Sequence, residues 1–296
     1  MPAGLSSRRV GSHEHDRFGE LRRLVEKMTR HLGKIFVLVG LTAVVFAAYP
    51  NVKSAPGFPY LSGWVLLGII FILAGYNLWK KLPFLPLGTS EGWLQFHVYA
   101  GLFSAAVFFV HIRWRWPTGV FEAALALMYV AVMISGILGL VISRTFPRRL
   151  TARGGEVIYE QIPLIRGNLR KAAETLALES IPQASKSTIA DFYATELADF
   201  FSRRRNRVYH LFESRIPLNR LQTKIGELNR FLNQQEKDRM ARIAEYVREK
   251  DGLDYHYTLQ SALKVWLFTH IPLTYGLIIL VILHVLLVTA FSGGAR

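Results

Sequence analysis

Cysteine is absent from this 296-residue chain. Disulfides, cysteine-ligated iron–sulfur clusters and covalently attached c-type haem are thereby excluded, so any redox centre has to hang on His, Met, Tyr or carboxylate. Acidic residues are scarce, 21 against 36 Lys and Arg, for a net charge of +15. That excess lies beside hydrophobic runs, where basic residues are expected on the cytoplasmic side, and nucleic acid is not expected as a partner. The polar, basic first thirty residues show no cleavable leader pattern, because the first apolar run is long enough to span rather than be removed. Gly154-Gly155 lack the glycine fingerprint of a dinucleotide site. No repeat of fixed period and no low-complexity tract is present.

What is abundant is apolar sequence, 51% of residues, and it comes in blocks. Five segments reach membrane length, about twenty residues each. They run from His31 to Tyr49, Leu61 to Trp79, Trp93 to Ile112, Val120 to Ser143 and Leu263 to Phe291. Turn residues join the first four: Ser54-Ala55-Pro56-Gly57, Pro83 to Gly88, and Trp116-Pro117-Thr118-Gly119. The pattern predicts an all-α integral membrane protein. It has a basic N-terminal segment (1–30), four spans (31–143), a helical insertion (144–262), and a fifth span with a short tail (263–296).

Charge orients it. The first 34 residues hold eight Lys and Arg, and Arg144 to Ala262 holds 21. The other loops offer only Lys53, or Arg113 and Arg115, while Lys80 and Lys81 follow the second span. The N-terminus and the insertion are therefore expected in the cytoplasm and the C-terminus outside. Trp64, Trp79, Trp93, Trp114, Trp116 and Trp266 stand near span ends, as in aromatic belts.

Within the insertion, Ser187-Thr188 is expected to cap a helix with an apolar face of Ile189, Phe192, Tyr193, Leu197 and Phe200. Leu221, Ile225, Leu228 and Leu232 form a short heptad-like seam, with Met240, Ile243 and Val247 on a second helix and Asn233 at the turn. Two readings stand: a hairpin packing on itself, and a docking surface for a partner. Arg203-Arg204-Arg205 reads as a solvated or lipid-facing charge run.

Four histidines fall inside the spans, where each needs a reason. His97 and His111 lie fourteen apart on the third span, and His270 and His284 fourteen apart on the fifth. Fourteen residues make about 3.9 turns, which returns the side chain to the same face within about 40° and about 21 Å further along the helix. The third and fifth spans run in the same direction, so His97 is level with His270, and His111 with His284. Each level pair can supply two axial nitrogens to one haem b, the inner and the outer respectively. Structural zinc, with four close tetrahedral ligands, does not fit this spacing.

Supporting residues accompany the ligands. Gly101 and Gly276 lie between the paired histidines and make room for a macrocycle, although Gly also packs ordinary spans. Arg113 and Arg115 suit outer-haem propionates and Lys264 the inner ones, with snorkelling to headgroups as the competing reading. Glu122, at the start of the fourth span, is a candidate for taking protons from a quinol. His256 and His31 admit a third haem, with ordinary interfacial histidines as the alternative.

Two parallel helices each carrying His-x13-His resemble the four-helix dihaem core of cytochrome b from bc-type quinol oxidoreductases and related bacterial cytochrome b subunits. The resemblance covers the second to fifth spans. Ser135-Gly136-Ile137-Leu138-Gly139 followed by Phe146-Pro147-Arg148-Arg149 is also similar to bacterial cytochrome b-like subunits. It implies His97, His111, His270 and His284 as haem ligands. It also implies transmembrane electron transfer between the quinone pool and a redox partner, such as a cytochrome c, iron–sulfur or dehydrogenase subunit, in the bacterial inner membrane. The long insertion and the absence of a Pro-Glu-Trp-Tyr quinol-site signature depart from the bc type. A self-contained oxidoreductase acting on superoxide or ferric chelate, and a haem-free scaffold subunit, remain as alternative functions.

Overall fold

The computed structural model describes residues 37–46, 48–50, 54–55, 57–79, 90–153, 157–179 and 188–292. Several expectations fall outside them: the N-terminal segment with His31, the loop positions Lys53, Lys80, Lys81 and Pro83 to Gly88, Gly154-Gly155, Ser187 and Arg296. Among the described residues the chain is helical and contains no strand.

Helix α1 (Val37–Pro50) is apolar but shorter than a span. Helices α2 (Phe58–Trp79), α3 (Ser90–His111), α4 (Val120–Ala152) and α10 (Gln234–Ser292) are long and apolar enough to cross a membrane. Between α4 and α10 lie α5 (Ile162–Leu178), α6 (Thr188–Phe192), a π turn (Tyr193–Leu197), α7 (Ala198–Ser202), α8 (Arg207–Leu211), α9 (Ile216–Leu228) and a 3₁₀ turn (Asn229–Phe231). The contacts divide the chain into two units, 1–136 with 271–296, and 137–270.

The first unit is built from α2, α3, the first half of α4 and the second half of α10. Leu66 and Ile70, Val107 and Phe108, Ala126 and Tyr129, and Leu277 bring these four elements into one core. Around it, large apolar side chains such as Leu61, Leu127, Ile279 and Phe291 are exposed. Contiguous exposure of that kind is what a lipid-facing surface requires and what a water-facing one avoids.

α3 ends directly after His111 in a Schellman motif. The Trp114 N–H donates to Phe109 O (3.0 Å) and the Arg113 N–H to Val110 O (3.1 Å). The Trp114 ring stacks on Phe109 with centroids 5.1 Å apart, the apolar contact this motif calls for. Arg113, at φ 54°, takes the left-handed position that glycine usually fills.

The second unit has its own core, in which α5 (Leu169, Ala173, Ala177), Ile189, Leu197, Phe200, Ile225, Leu232, Met240, Ile243 and Val247 meet. The Leu221–Leu232 seam is thus spent on internal packing, with Leu221 and Leu228 against the same core. Ile189, Tyr193 and Leu197 step by four residues, more than an α turn. The π turn at Tyr193–Leu197 absorbs the excess and keeps all three buried.

Two boundaries differ from the sequence expectation. α4 does not stop at Ser143 but passes through Pro147 to Ala152. Phe146, with Leu150 beside it, packs on Tyr255 and Leu259, and that burial outweighs the lost backbone donor. The fifth span does not begin a new helix at Leu263: α10 is one helix of 59 residues. It starts at a capping box, where the Glu236 N–H donates to Asn233 Oδ1 and the Asn233 N–H to Glu236 Oε2, both at 2.9 Å. No proline interrupts it until Pro272.

Candidate functional site

α3 carries His97 and His111 and α10 carries His270 and His284; all four side chains are half-buried. His97, His111 and His284 belong to the first unit, and His270 ends the second.

His111 is held from α2. Its Nδ1 lies 3.0 Å from Ser62 Oγ, and Ser62 in turn donates to Pro59 O at 3.1 Å. A serine hydroxyl has one hydrogen. With that hydrogen on Pro59 O, Ser62 accepts from an Nδ1–H, which leaves His111 Nε2 with its lone pair free for a metal. Gly63 makes the approach possible: a Cβ there would stand 3.1 Å from His111 Cε1. His284 lies within electrostatic range of His111. Its ring stacks on Phe121 of α4 at a centroid distance of 6.3 Å and an interplanar angle of 22°. α2 and α4 thus orient the two imidazoles, one by a hydrogen bond and one by a ring face.

Seven residues from both His97 and His111, and on their face of α3, lies Ser104. It is buried and 2.7 Å from the hydroxyl of Tyr129, whose ring stacks on Phe108 at 4.1 Å. Leu277, midway between His270 and His284, is buried in the same core. A packed layer therefore separates the two histidine positions of α3. The sequence held its signal, the 97–104–111 register, although attention to histidine alone passes over it.

The glycines differ in what surrounds them. A Cβ on Gly101 would meet nothing within 4 Å, so open space adjoins α3 one turn after His97; at Gly276 it would meet Met128 Cε at 3.8 Å. In the second unit, Trp266 stacks on His270 at 5.7 Å and 24°. The Trp266 indole also lies flat against Gly139, where a Cβ would overlap it. Gly139 is thus a position where only hydrogen fits.

The remaining sequence candidates sit as follows. Arg113 and Arg115 are exposed just past His111. Lys264 donates to Glu160 Oε1 at 2.8 Å and lies over the Tyr159 ring at 3.8 Å. Glu122 is exposed and folds back against Gly119 in the first turn of α4, where a carboxylate meets the positive end of the helix dipole. His256 is buried against Tyr255, with burial and Arg153 holding it below its ordinary pKa.

A buried ionic cluster in the second unit was not anticipated. Lys250, fully buried, pairs with Asp254 and donates to Arg203 O at 3.0 Å, while Arg166 Nε reaches Asp254 Oδ1 at 3.1 Å. His210 and Asp251 approach to 3.7 Å beside it. Met240, Ile243, Val247, Lys250 and Asp254 follow one heptad rhythm, so the buried face simply continues into charge. Two cations on one carboxylate fix the register of α10 against α5 and the stretch before α8. Among the described residues, no group of three or more His, Cys, Asp or Glu is arranged to hold a metal ion.

Imidazoles on α3 and α10 are the donors in the first unit that a planar metal cofactor would take. Ser62 faces His111 Nδ1, His284 lies within electrostatic range, and open space adjoins Gly101, one turn from His97. Comparison with protein-family models, with curated proteins and with solved structures finds no match.

Proposed function

We propose that this chain is a dihaem b-type cytochrome subunit that carries electrons across the membrane between the quinone pool and a redox partner. The observation that carries the reading is the joint placement of His111 and His284. They stand on the two helices that repeat a histidine at fourteen residues, within electrostatic reach of each other, with His111 Nε2 left available by the Ser62 contact.

His111 with His284 would hold the outer haem, and His97 with His270 the inner. When bound, each haem supplies a one-electron ferric/ferrous couple, saturated by two imidazoles and so suited to transfer rather than oxygen binding. Ser62 fixes the His111 ring and, by accepting its proton-bearing nitrogen, makes the imidazole a stronger donor. Phe121 limits rotation of His284. Arg113 and Arg115 stand where outer propionates need cations. Glu122 stands at the outer end of α4, where a quinol would release protons. The Ser104–Tyr129–Phe108 layer keeps water out of the space between the two histidine positions.

In this reading α1 completes a fifth span in the bacterial inner membrane. The N-terminus and the 144–262 insertion face the cytoplasm, and the partner subunit supplies the substrate chemistry. A reduced-minus-oxidised spectrum of the purified chain tests it. Two b-type components are expected, with His97→Ala and His270→Ala removing one, and His111→Ala and His284→Ala removing the other. A chain that inserts and folds with no such spectrum is a haem-free scaffold.

A further inference from the structure

The second unit carries an apolar patch set in arginine that the electron-transfer reading does not use. Val208, Tyr209, Phe212 and Ile216 are 65, 46, 79 and 52% exposed. They lie in a stretch, 203–220, with six arginines and one carboxylate, Glu213; Asp199, just before it, pairs with Arg203 and Arg205, and Arg204 lies on Tyr257. Glu213 is occupied by the Tyr255 hydroxyl at 3.0 Å and by Arg149 Nε at 3.5 Å, so it does not offset Arg207, Arg215 and Arg220.

The height of this patch on the unit is fixed by its neighbours. Leu211, between Tyr209 and Phe212, packs on the cluster of Phe146, Tyr255 and Leu259, which Ile142 and Leu263 also join. Arg149 Nη1 donates to the Leu211 carbonyl at 2.9 Å. Ile142 is the last apolar residue of α4 before Ser143-Arg144. Leu263 opens the apolar run of α10, with Lys264 its last charge before Ser292. α8 is therefore clamped where both long helices change from apolar to charged side chains, the level at which hydrocarbon gives way to headgroups.

A second Schellman turn sets the outward aim. The Ser214 N–H donates to Tyr209 O (2.9 Å) and the Glu213 N–H to His210 O (3.1 Å), with Glu213 at φ 56°. His210 faces in and is buried, while Val208, Tyr209 and Phe212 face out.

We infer that α8 and the turn after it form a membrane-interface anchor: Val208, Tyr209, Phe212 and Ile216 insert into the boundary of the cytoplasmic leaflet, and the flanking arginines bind anionic lipid headgroups. The chemistry is that of an interfacial amphipathic segment, with apolar and aromatic area for the acyl boundary and guanidinium groups for phosphates.

Because the chain lacks cysteine, single labels report unambiguously. Phe212→Cys and Phe231→Cys are each labelled with a nitrobenzoxadiazole and reconstituted as the full chain in phosphatidylcholine vesicles, with or without phosphatidylglycerol. Phe231 is the control: it is also 79% exposed, but it precedes the start of α10, about 45 Å along the helix from Leu263. The label at 212 is expected to emit to the blue and to be quenched several-fold more by a lipid-borne nitroxide than the label at 231. The difference should grow with phosphatidylglycerol, and Arg207→Gln with Arg215→Gln should cancel that growth. Equal, weak quenching at both positions overturns the proposal. So does a label at 212 that is shielded from a water-soluble quencher yet untouched by the lipid-borne one, since protein would then be covering it. Quenching indifferent to phosphatidylglycerol and to the arginines overturns the headgroup part.

Discussion

Ser62 Oγ and His111 Nδ1 meet at 3.0 Å, joining α2 to the last residue of α3. The contact lies beside Gly63, whose missing side chain lets the imidazole approach α2. It links a helix without histidine to the proposed ligand set.

Removing that hydrogen bond has a direction. A neutral hydrogen bond is worth about 1 kcal/mol, which for a one-electron couple corresponds to about 40 mV. Ser62→Ala weakens the donor strength of His111 and so favours the ferrous state. The midpoint potential of one haem is expected to rise by at most about that amount, with the other unchanged. Gly63→Val, which forces the ring away, should lower haem content instead. Potentiometric titration and haem assay of the two variants separate the effects; identical losses of both haems in Ser62→Ala would speak for general misfolding.

Gly139 and Trp266 give a packing prediction. Any side chain at 139 meets the indole that stacks on His270. Gly139→Leu is expected to destabilise the chain by about 1–3 kcal/mol, the usual cost of overpacking. Adding Trp266→Leu to it should recover part of that loss. Thermal unfolding of the single and double variants measures the coupling, and simple additivity would place Trp266 elsewhere.

The pair His210–Asp251 titrates in opposite senses. It lies before the apolar run of α10, which starts at Leu263. Burial lowers His210 from 6.5 to about 4, so its native form stays neutral while the unfolded chain takes up a proton; stability is lost as pH falls from about 6.5 to 4. Burial, then Asp254, raises Asp251 from 3.8 to about 6, so its native form holds a proton the unfolded chain has released; stability is lost as pH rises from about 4 to 6. The two largely cancel in the natural chain. Asp251→Asn should expose the His210 dependence, with the unfolding temperature rising from pH 4.5 to 6.5, and His210→Gln the reverse. Equal slopes in both variants would refute the assignment.

Topology is open to the same cysteine-free strategy. A cysteine at Leu178 is expected to react with an impermeant maleimide only after the membrane is opened, and one at Thr118 in intact right-side-out vesicles. The opposite pattern reverses the orientation.

Much of this fold was legible because membrane spans write themselves in composition. The runs behind α2, α3 and the first part of α4 stand within a few residues of their helices, and the Asn233 turn is where its cap residues put it. The continuation of α4 past Pro147 was not legible, since it depends on Phe146 meeting Tyr255 and Leu259 more than a hundred residues later. The fusion of hairpin helix and last span was hidden because charge changes at Leu263 while helix propensity does not. The histidine pattern was visible as spacing; Ser62, Gly63, Tyr129 and Trp266 acquire meaning only once helices are side by side. Lys250 and Asp254 are buried, and an i, i+4 pair of opposite charge does not by itself distinguish that from a solvated one.

The central claim is the presence of two non-covalent haems held by four histidines, and their count is its most direct measure. A pyridine haemochrome assay on the purified, detergent-solubilised chain, normalised to protein by amino-acid analysis, is expected to give two haem b per chain, wholly extractable with acid acetone because no cysteine holds them. No haem, or a single haem that survives His111→Ala and His284→Ala, would contradict it.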